Sequence, residues 1–206
     1  MGAHVGLDGL ESAHATRAQL LGRALVCGGA AVGGLAAWGR LPQLSVASPS
    51  AEQDVRVLNL VLAVEYLEAA FYKEAFARAG LQGELKEFAR VVGEHEQAHV
   101  DFLKQALGGA AEPEQSHDFG DATRDADAFA DAAVTIEDLA VSTYNGQAVN
   151  LTPPTLKAAA RIVSVEARHA AWIRSILGKV PATEPTDAAL KEDDTRAKLR
   201  AIGGKP

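Results

Sequence analysis

At 206 residues, with 48% hydrophobic and 5% aromatic side chains, the chain has the length of one ordinary domain with extensions and an Ala-rich composition that favours helices over a sheet core. A formal net charge of −7 sets up a field that repels nucleic-acid phosphates and anionic lipid headgroups, which argues against either as a partner. The single cysteine, Cys27, excludes a disulfide framework and a thiolate metal site.

The stretch from Arg17 to Ala47 reads as an export signal. Arg17 and Arg23 precede an apolar Gly/Ala-rich run from Ala24 to Trp38, and Ser45-Val46-Ala47 offers small residues for cleavage after Ala47. The run is shorter than the ~20 apolar residues of a membrane-spanning helix, so a membrane is met only through an N-terminal segment that stays uncleaved. Thr16-Arg17-Ala18-Gln19-Leu20-Leu21 resembles the start of a twin-arginine signal, but Ala18 stands where the second arginine belongs, which leaves the export route open. Cys27 is a poor lipidation site, because bulky Val26 precedes it and most of the apolar run follows it. The expected location is periplasmic, extracellular or at the cell envelope.

The expected organisation is a signal over 1–47, a linker over 48–53, a helical bundle over 54–178 and a polar tail over 179–206. Ser50 and Gln53 form a capping pattern for a first helix that Gly80 ends. Leu58, Val61, Glu65, Glu68, Tyr72 and Ala75 recur there at helical spacing, so both glutamates fall on the core-facing stripe. A second helix, from about Glu84 to Leu107, aligns Leu85, Phe88, Val92, Glu96, His99 and Leu103. A third, from about Arg124 to Val149, aligns Phe129, Ala133, Ile136, Glu137, Ala140 and Tyr144. The fourth starts after Thr152 with a proline in its first turn and aligns Leu156, Ala159, Ile162, Glu166, His169 and Ile173. Beyond Gly178 the chain is polar, with a short helix near Ala188 to Ala201.

The order Glu, Tyr, Glu-x-x-His occurs twice, as Glu65, Tyr72, Glu96, His99 and as Glu137, Tyr144, Glu166, His169. Each glutamate falls near the middle of its helix, so antiparallel packing brings all four to one height. Short links make hairpins of the first two and the last two helices. The segment from Gly108 to Thr123 is longer: about 15 residues reach ~50 Å when extended, more than the ~37 Å of a typical helix of this set. An all-α, four-helix bundle with one long crossover follows.

Four carboxylates buried at one level repel one another unless they are protonated, paired or bound to cations, and two divalent ions neutralise four of them. Glu-x-x-His turns one oxygen and one nitrogen donor from a single helix face, a donor set that suits iron or manganese. One such word arises by chance on a solvated face; two, each with its own upstream Glu and Tyr, point to a metal pair. Glu68 reads as an additional or supporting carboxylate, or as half of a rim salt bridge. His95 points about 100° away from Glu96 and reads as a surface histidine or a support for a ligand. Tyr72 and Tyr144 either hydrogen-bond the ligand carboxylates or fill the core. His117, in the crossover, is expected to be solvated, and Arg161 and Arg168 to serve the surface.

The words Leu58-Asn59-Leu60, Val64-Glu65-Tyr66-Leu67-Glu68-Ala69-Ala70-Phe71-Tyr72, Glu94-His95-Glu96-Gln97-Ala98-His99, Ile136-Glu137-Asp138 and Glu166-Ala167-Arg168-His169-Ala170 resemble the ferritin-like superfamily. Within it they are similar to bacterial exported ferritin-like domain proteins related to plant desiccation-related proteins. The likeness covers about Gln53 to Gly178 and implies a ferritin-like bundle. It further implies that Glu96 and Glu166 bridge two metals, that Glu65 and His99 complete one coordination sphere, and that Glu137 and His169 complete the other. The implied cofactor is two iron ions, with two manganese ions as the alternative, and the implied reactants are dioxygen or hydrogen peroxide. The expected role is that of a di-iron oxidoreductase, ferroxidase- or peroxidase-like, in oxidative or desiccation stress. A dimanganese catalase and a non-catalytic structural protein of the envelope are the alternatives, and assembly into a homo-oligomer is left open.

Overall fold

The computed structural model describes residues 48–203, so the expected export signal, Arg17 to Ala47, lies outside the described residues. Regular structure among the described residues is helical: α1 (Ala51–Arg78), α2 (Gly83–Leu107), α3 (Ala126–Gln147), α4 (Pro153–Ile176) and α5 (Glu192–Ile202). The local start signals explain where these begin. Ser50 Oγ accepts from the Gln53 amide at 3.2 Å. Asp125, one residue beyond the expected start at Arg124, caps α3 by accepting from the amides of Asp127 and Ala128 at 3.0 and 2.9 Å.

The Thr152 hydroxyl, at the start of α4, turns away from its own helix and donates to Asp54 in the first turn of α1, as does that of Thr155. The Thr152 amide donates to the same carboxylate at 2.8 Å. Burial raises the Asp54 pKa, but these bonds outweigh it and leave the carboxyl below its ordinary value. With Thr155 facing Asp54, Leu156 lies about 100° further round the helix; contrary to expectation it is 38% exposed.

Side-chain bonds along α1 fix the path of the crossover. Asn59 brackets its start, donating to the Ala110 carbonyl and accepting from the Glu112 amide, both at 2.9 Å. At the other end Thr123 donates to Glu74 at 2.7 Å, and Phe119 meets Phe71 edge-on at 5.4 Å. The segment therefore climbs α1 from Asn59 to Glu74, and α3 descends beside it to bring Thr152 back to Asp54. The order is up-down-down-up, with one long crossover as expected. Trp172 near the end of α4 donates to Glu84 at the start of α2 at 2.9 Å, which matches that order.

Two apolar clusters fill the bundle. One holds Phe71, Phe88, Phe129, Ile136 and Ile173; the other holds Val57, Val61, Leu103, Leu151 and Ile162. Each fully buried side chain of this kind contributes about 1.5–3 kcal/mol. Between the clusters lies a polar layer drawn from all four bundle helices.

The tail carries the short helix expected near Ala188 to Ala201, as α5, and docks on the bundle. The Leu190 amide donates to the Ser142 carbonyl at 2.8 Å, and Gln147 donates to the Leu190 carbonyl at 3.2 Å. Helix α5 then packs back on the bundle through buried Leu199 and Thr195, the latter sharing a 3.1 Å hydroxyl bond with Thr143. Gly146 permits this approach: a Cβ there would stand 1.8 Å from the Leu190 carbonyl oxygen. Gly146→Ala should unseat the strap at a cost of about 1–3 kcal/mol. Limited proteolysis should then cleave residues 179–191 in a protein of unchanged helix content, whereas an unaltered digest would show that the strap does not depend on this glycine.

Candidate metal centre

The polar layer is assembled from one glutamate on each of α1 and α3, Glu65 and Glu137, and from the two Glu-x-x-His words on α2 and α4. Glu65, Glu96, Glu137 and Glu166 are all 0% exposed. The structure brings these and the two histidines together as two four-donor groups: Glu65, Glu96, His99, Glu166 and Glu96, Glu137, Glu166, His169. Within each group one donor atom per residue lies within 4.8 Å of the others, and Glu96 and Glu166 belong to both.

The contacts around the imidazoles show why hydrogen bonds alone cannot satisfy this layer. His99 Nδ1 lies 2.9 Å from Glu96 Oε2, 2.9 Å from Glu166 Oε1 and 3.3 Å from Glu65 Oε2. His169 Nδ1 lies 2.9 Å from Glu96 Oε1, 3.3 Å from Glu166 Oε2 and 3.5 Å from Glu137 Oε2. A ring nitrogen carries at most one proton, so it cannot serve three acceptors. Glu65 Oε2, Glu96 Oε1, Glu137 Oε2 and Glu166 Oε1 are buried without a hydrogen bond. Each of the four carboxylates thus turns one unsatisfied oxygen into the layer beside an imidazole nitrogen. That donor set is compatible with a pair of divalent ions.

The two tyrosines do more than fill the core. Tyr144 on α3 donates to Glu65 Oε1 at 2.6 Å, and Tyr72 on α1 donates to Glu137 Oε1. Each of these glutamates is therefore gripped by a phenol from the opposite hairpin, with its other oxygen left for the layer.

Burial and close contact shift the titration of the layer's groups. Burial raises Glu65 and Glu68 well above the ordinary carboxylate range, and neighbouring carboxylates reinforce the effect. Burial also raises Glu137, to about 8. Glu96 goes the other way: its burial, which alone would raise it, is outweighed by the His169 and His99 imidazoles beside it, which bring it to about 2. Burial disfavours the imidazolium forms of His99 and His169, yet their carboxylate bonds prevail and raise both to about 12.

The remaining candidates separate clearly. Glu68 is no rim residue: it is 0% exposed, neither oxygen has a hydrogen-bond partner, and it lies in neither four-donor group. His95 sits on the exposed side of α2, but its Nδ1 is 2.9 Å from His169 Nε2, on the side of that ring away from the carboxylates. His117 lies outside the layer and is not simply solvated: it stacks on Phe119 at 5.6 Å with both ring nitrogens buried, and burial lowers its pKa. Arg161 and Arg168 are exposed, as expected.

These shifts set the sign of a pH effect. The raised pKa values of Glu65, Glu68, Glu137, His99 and His169 stabilise the metal-free fold fully below their unfolded values, about 4.3 for Glu and 6.5 for His, and this contribution is lost as pH rises toward the folded values. Glu96 works oppositely, but only in the acid window down to about pH 2. Metal-free protein should therefore lose stability between about pH 5 and about pH 9, while metal-loaded protein, its ligands already deprotonated, should hold or gain. Melting temperatures recorded across that range with and without metal check this; parallel slopes would refute competition between metal and protons.

A model of the ferritin-like domain family matches residues 53–179, which spans the four bundle helices and the crossover. No curated protein matches the chain with significance. The family match, the all-helical bundle and the acidic layer agree, and the chain belongs to the ferritin-like domain family.

Proposed function

We propose that the chain is an exported ferritin-like protein that holds two iron ions and protects against oxidative or desiccation stress outside the cytoplasm. The sharing of Glu96 and Glu166 between two four-donor groups, each completed by one Glu and one His, carries the metal reading. Glu65 and His99 would complete the sphere of one ion, and Glu137 and His169 that of the other. When bound, such a pair supplies redox chemistry toward dioxygen or hydrogen peroxide, in the manner of a ferroxidase or peroxidase.

The chain's own residues prepare that chemistry. Glu65, Glu96, Glu137 and Glu166 together carry four negative charges, which balance two divalent ions. Tyr72 and Tyr144 fix the rotation of Glu137 and Glu65 before any ion arrives. The apolar clusters on either side exclude water, while the His99 side chain, 13% exposed against 4% for His169, marks the side open to solvent. The Arg17 to Ala47 stretch supports export, where removing peroxide or labile iron suits a protein with no thiolate to oxidise beyond Cys27.

Metal analysis of the mature protein should find two ions per chain. Glu137→Gln keeps an acceptor for Tyr72 but removes a charge and a ligand oxygen. The metal-free variant should melt at the wild-type temperature or above, while binding at that position weakens more than about 100-fold and peroxide-dependent Fe(II) oxidation is lost. Equal destabilisation with and without metal would make Glu137 a structural residue and defeat the reading; oxygen evolution from peroxide by a manganese-loaded sample would replace iron oxidation with catalase activity.

A further inference from the structure

The metal layer is written twice, and the two copies can be compared position by position. Glu137 and Tyr144 follow Glu65 and Tyr72 by 72 residues, and Glu166 and His169 follow Glu96 and His99 by 70. The tyrosine bonds repeat as well, Tyr144 to Glu65 and Tyr72 to Glu137. The same offsets carry His95 onto Val165 and Glu68 onto Ala140. The layer is symmetric in its six donors and asymmetric in what stands behind them. Glu68 lies in neither four-donor group; His95 hydrogen-bonds one donor, His169.

That donor is His169. Its Nδ1 faces Glu96, Glu137 and Glu166, so this nitrogen must offer its lone pair to any cation held there. The ring proton then sits on Nε2, which is 2.9 Å from His95 Nδ1, an acceptor in the neutral imidazole. A proton held in this way fixes both the tautomer and the rotation of a ligand ring and raises its basicity. His99 has no such support: Val165 at the mirror position has no acceptor, and the His99 side chain is the more exposed of the two.

We propose that the two metal positions are unequal, because His95 positions His169 and so makes the Glu137–His169 position the tighter and first filled, leaving the Glu65–His99 position weaker and exchangeable. The proposal rests on the di-metal reading above. His95 is a positioning residue: it lies behind a donor and does not itself face the layer.

Titration of the metal-free full-length protein with Co(II), followed by ligand-field absorption, tests it. Wild type should fill in two resolved steps. His95→Val should weaken the first step about 10- to 100-fold and merge it with the second, whereas His95→Gln, whose side-chain carbonyl can accept the same proton, should keep the steps apart. In 15N-labelled, Co-free samples loaded with diamagnetic Zn(II), the His169 Nε2–H resonance should be protected from exchange in wild type and His95→Gln and unprotected in His95→Val. Two equal steps in wild type, or an unchanged first step in His95→Val, overturn the proposal while leaving the di-metal reading intact. Fewer than two bound ions overturns both.

Discussion

Repulsion among buried carboxylates is the constraint around which this bundle is arranged. Five glutamates, Glu65, Glu68, Glu96, Glu137 and Glu166, are fully buried between two apolar clusters, with two imidazoles among them. An unneutralised buried charge costs several kcal/mol even after relaxation, and a whole domain is stable by only about 5–15 kcal/mol. The apolar clusters cannot carry such a layer unaided, so positive charge must enter it, as protons on His99 and His169 or as metal ions. Glu96 shows the effect directly: it meets both imidazoles at 2.9 Å, and it is held far below the ordinary carboxylate range.

The rest of the architecture keeps the layer in register. The crossover is tied to α1 at Asn59 and Glu74, on either side of Glu65 and Glu68. Asp54 clamps the start of α4 with three hydrogen bonds, and Trp172 anchors the other end of α4 to Glu84. The phenols of Tyr72 and Tyr144 span the two hairpins at the layer itself. Each of these ties joins segments far apart in sequence, so the donors are positioned by the assembled bundle and not by any one helix.

What could be read from the sequence, and what could not, follows from the range of the interactions. The four bundle helices and the convergence of Glu65, Glu96, His99, Glu137, Glu166 and His169 were legible because helical periodicity places each donor on an inward stripe and the repeat supplies the register. Residues whose surroundings come from elsewhere were not. His95 reads from sequence as a surface histidine or a support for a ligand, and the choice depends on α4, which brings His169 to it from 74 positions away. The core-facing stripe places Glu68 inward but does not show that both its oxygens lack a partner, and the stacking of His117 on Phe119 likewise depends on packing. The short helix of the tail was legible near Ala188 to Ala201, but its docking was not: it depends on Thr195, Leu199 and Ile202 sharing one face of α5 and on the room Gly146 leaves for Leu190.

The division of donors between hairpins bears on how the chain folds. Neither four-donor group is confined to one hairpin: the first borrows Glu166 from α4, and the second borrows Glu96 from α2. Each hairpin is built from local contacts and can form quickly, whereas joining the two requires loop closure across the crossover. That joining step also buries like charge, so its barrier depends on what neutralises the layer at that moment. On the proposed di-metal reading, cations shared by Glu96 and Glu166 would act across the seam between the hairpins and oppose its opening.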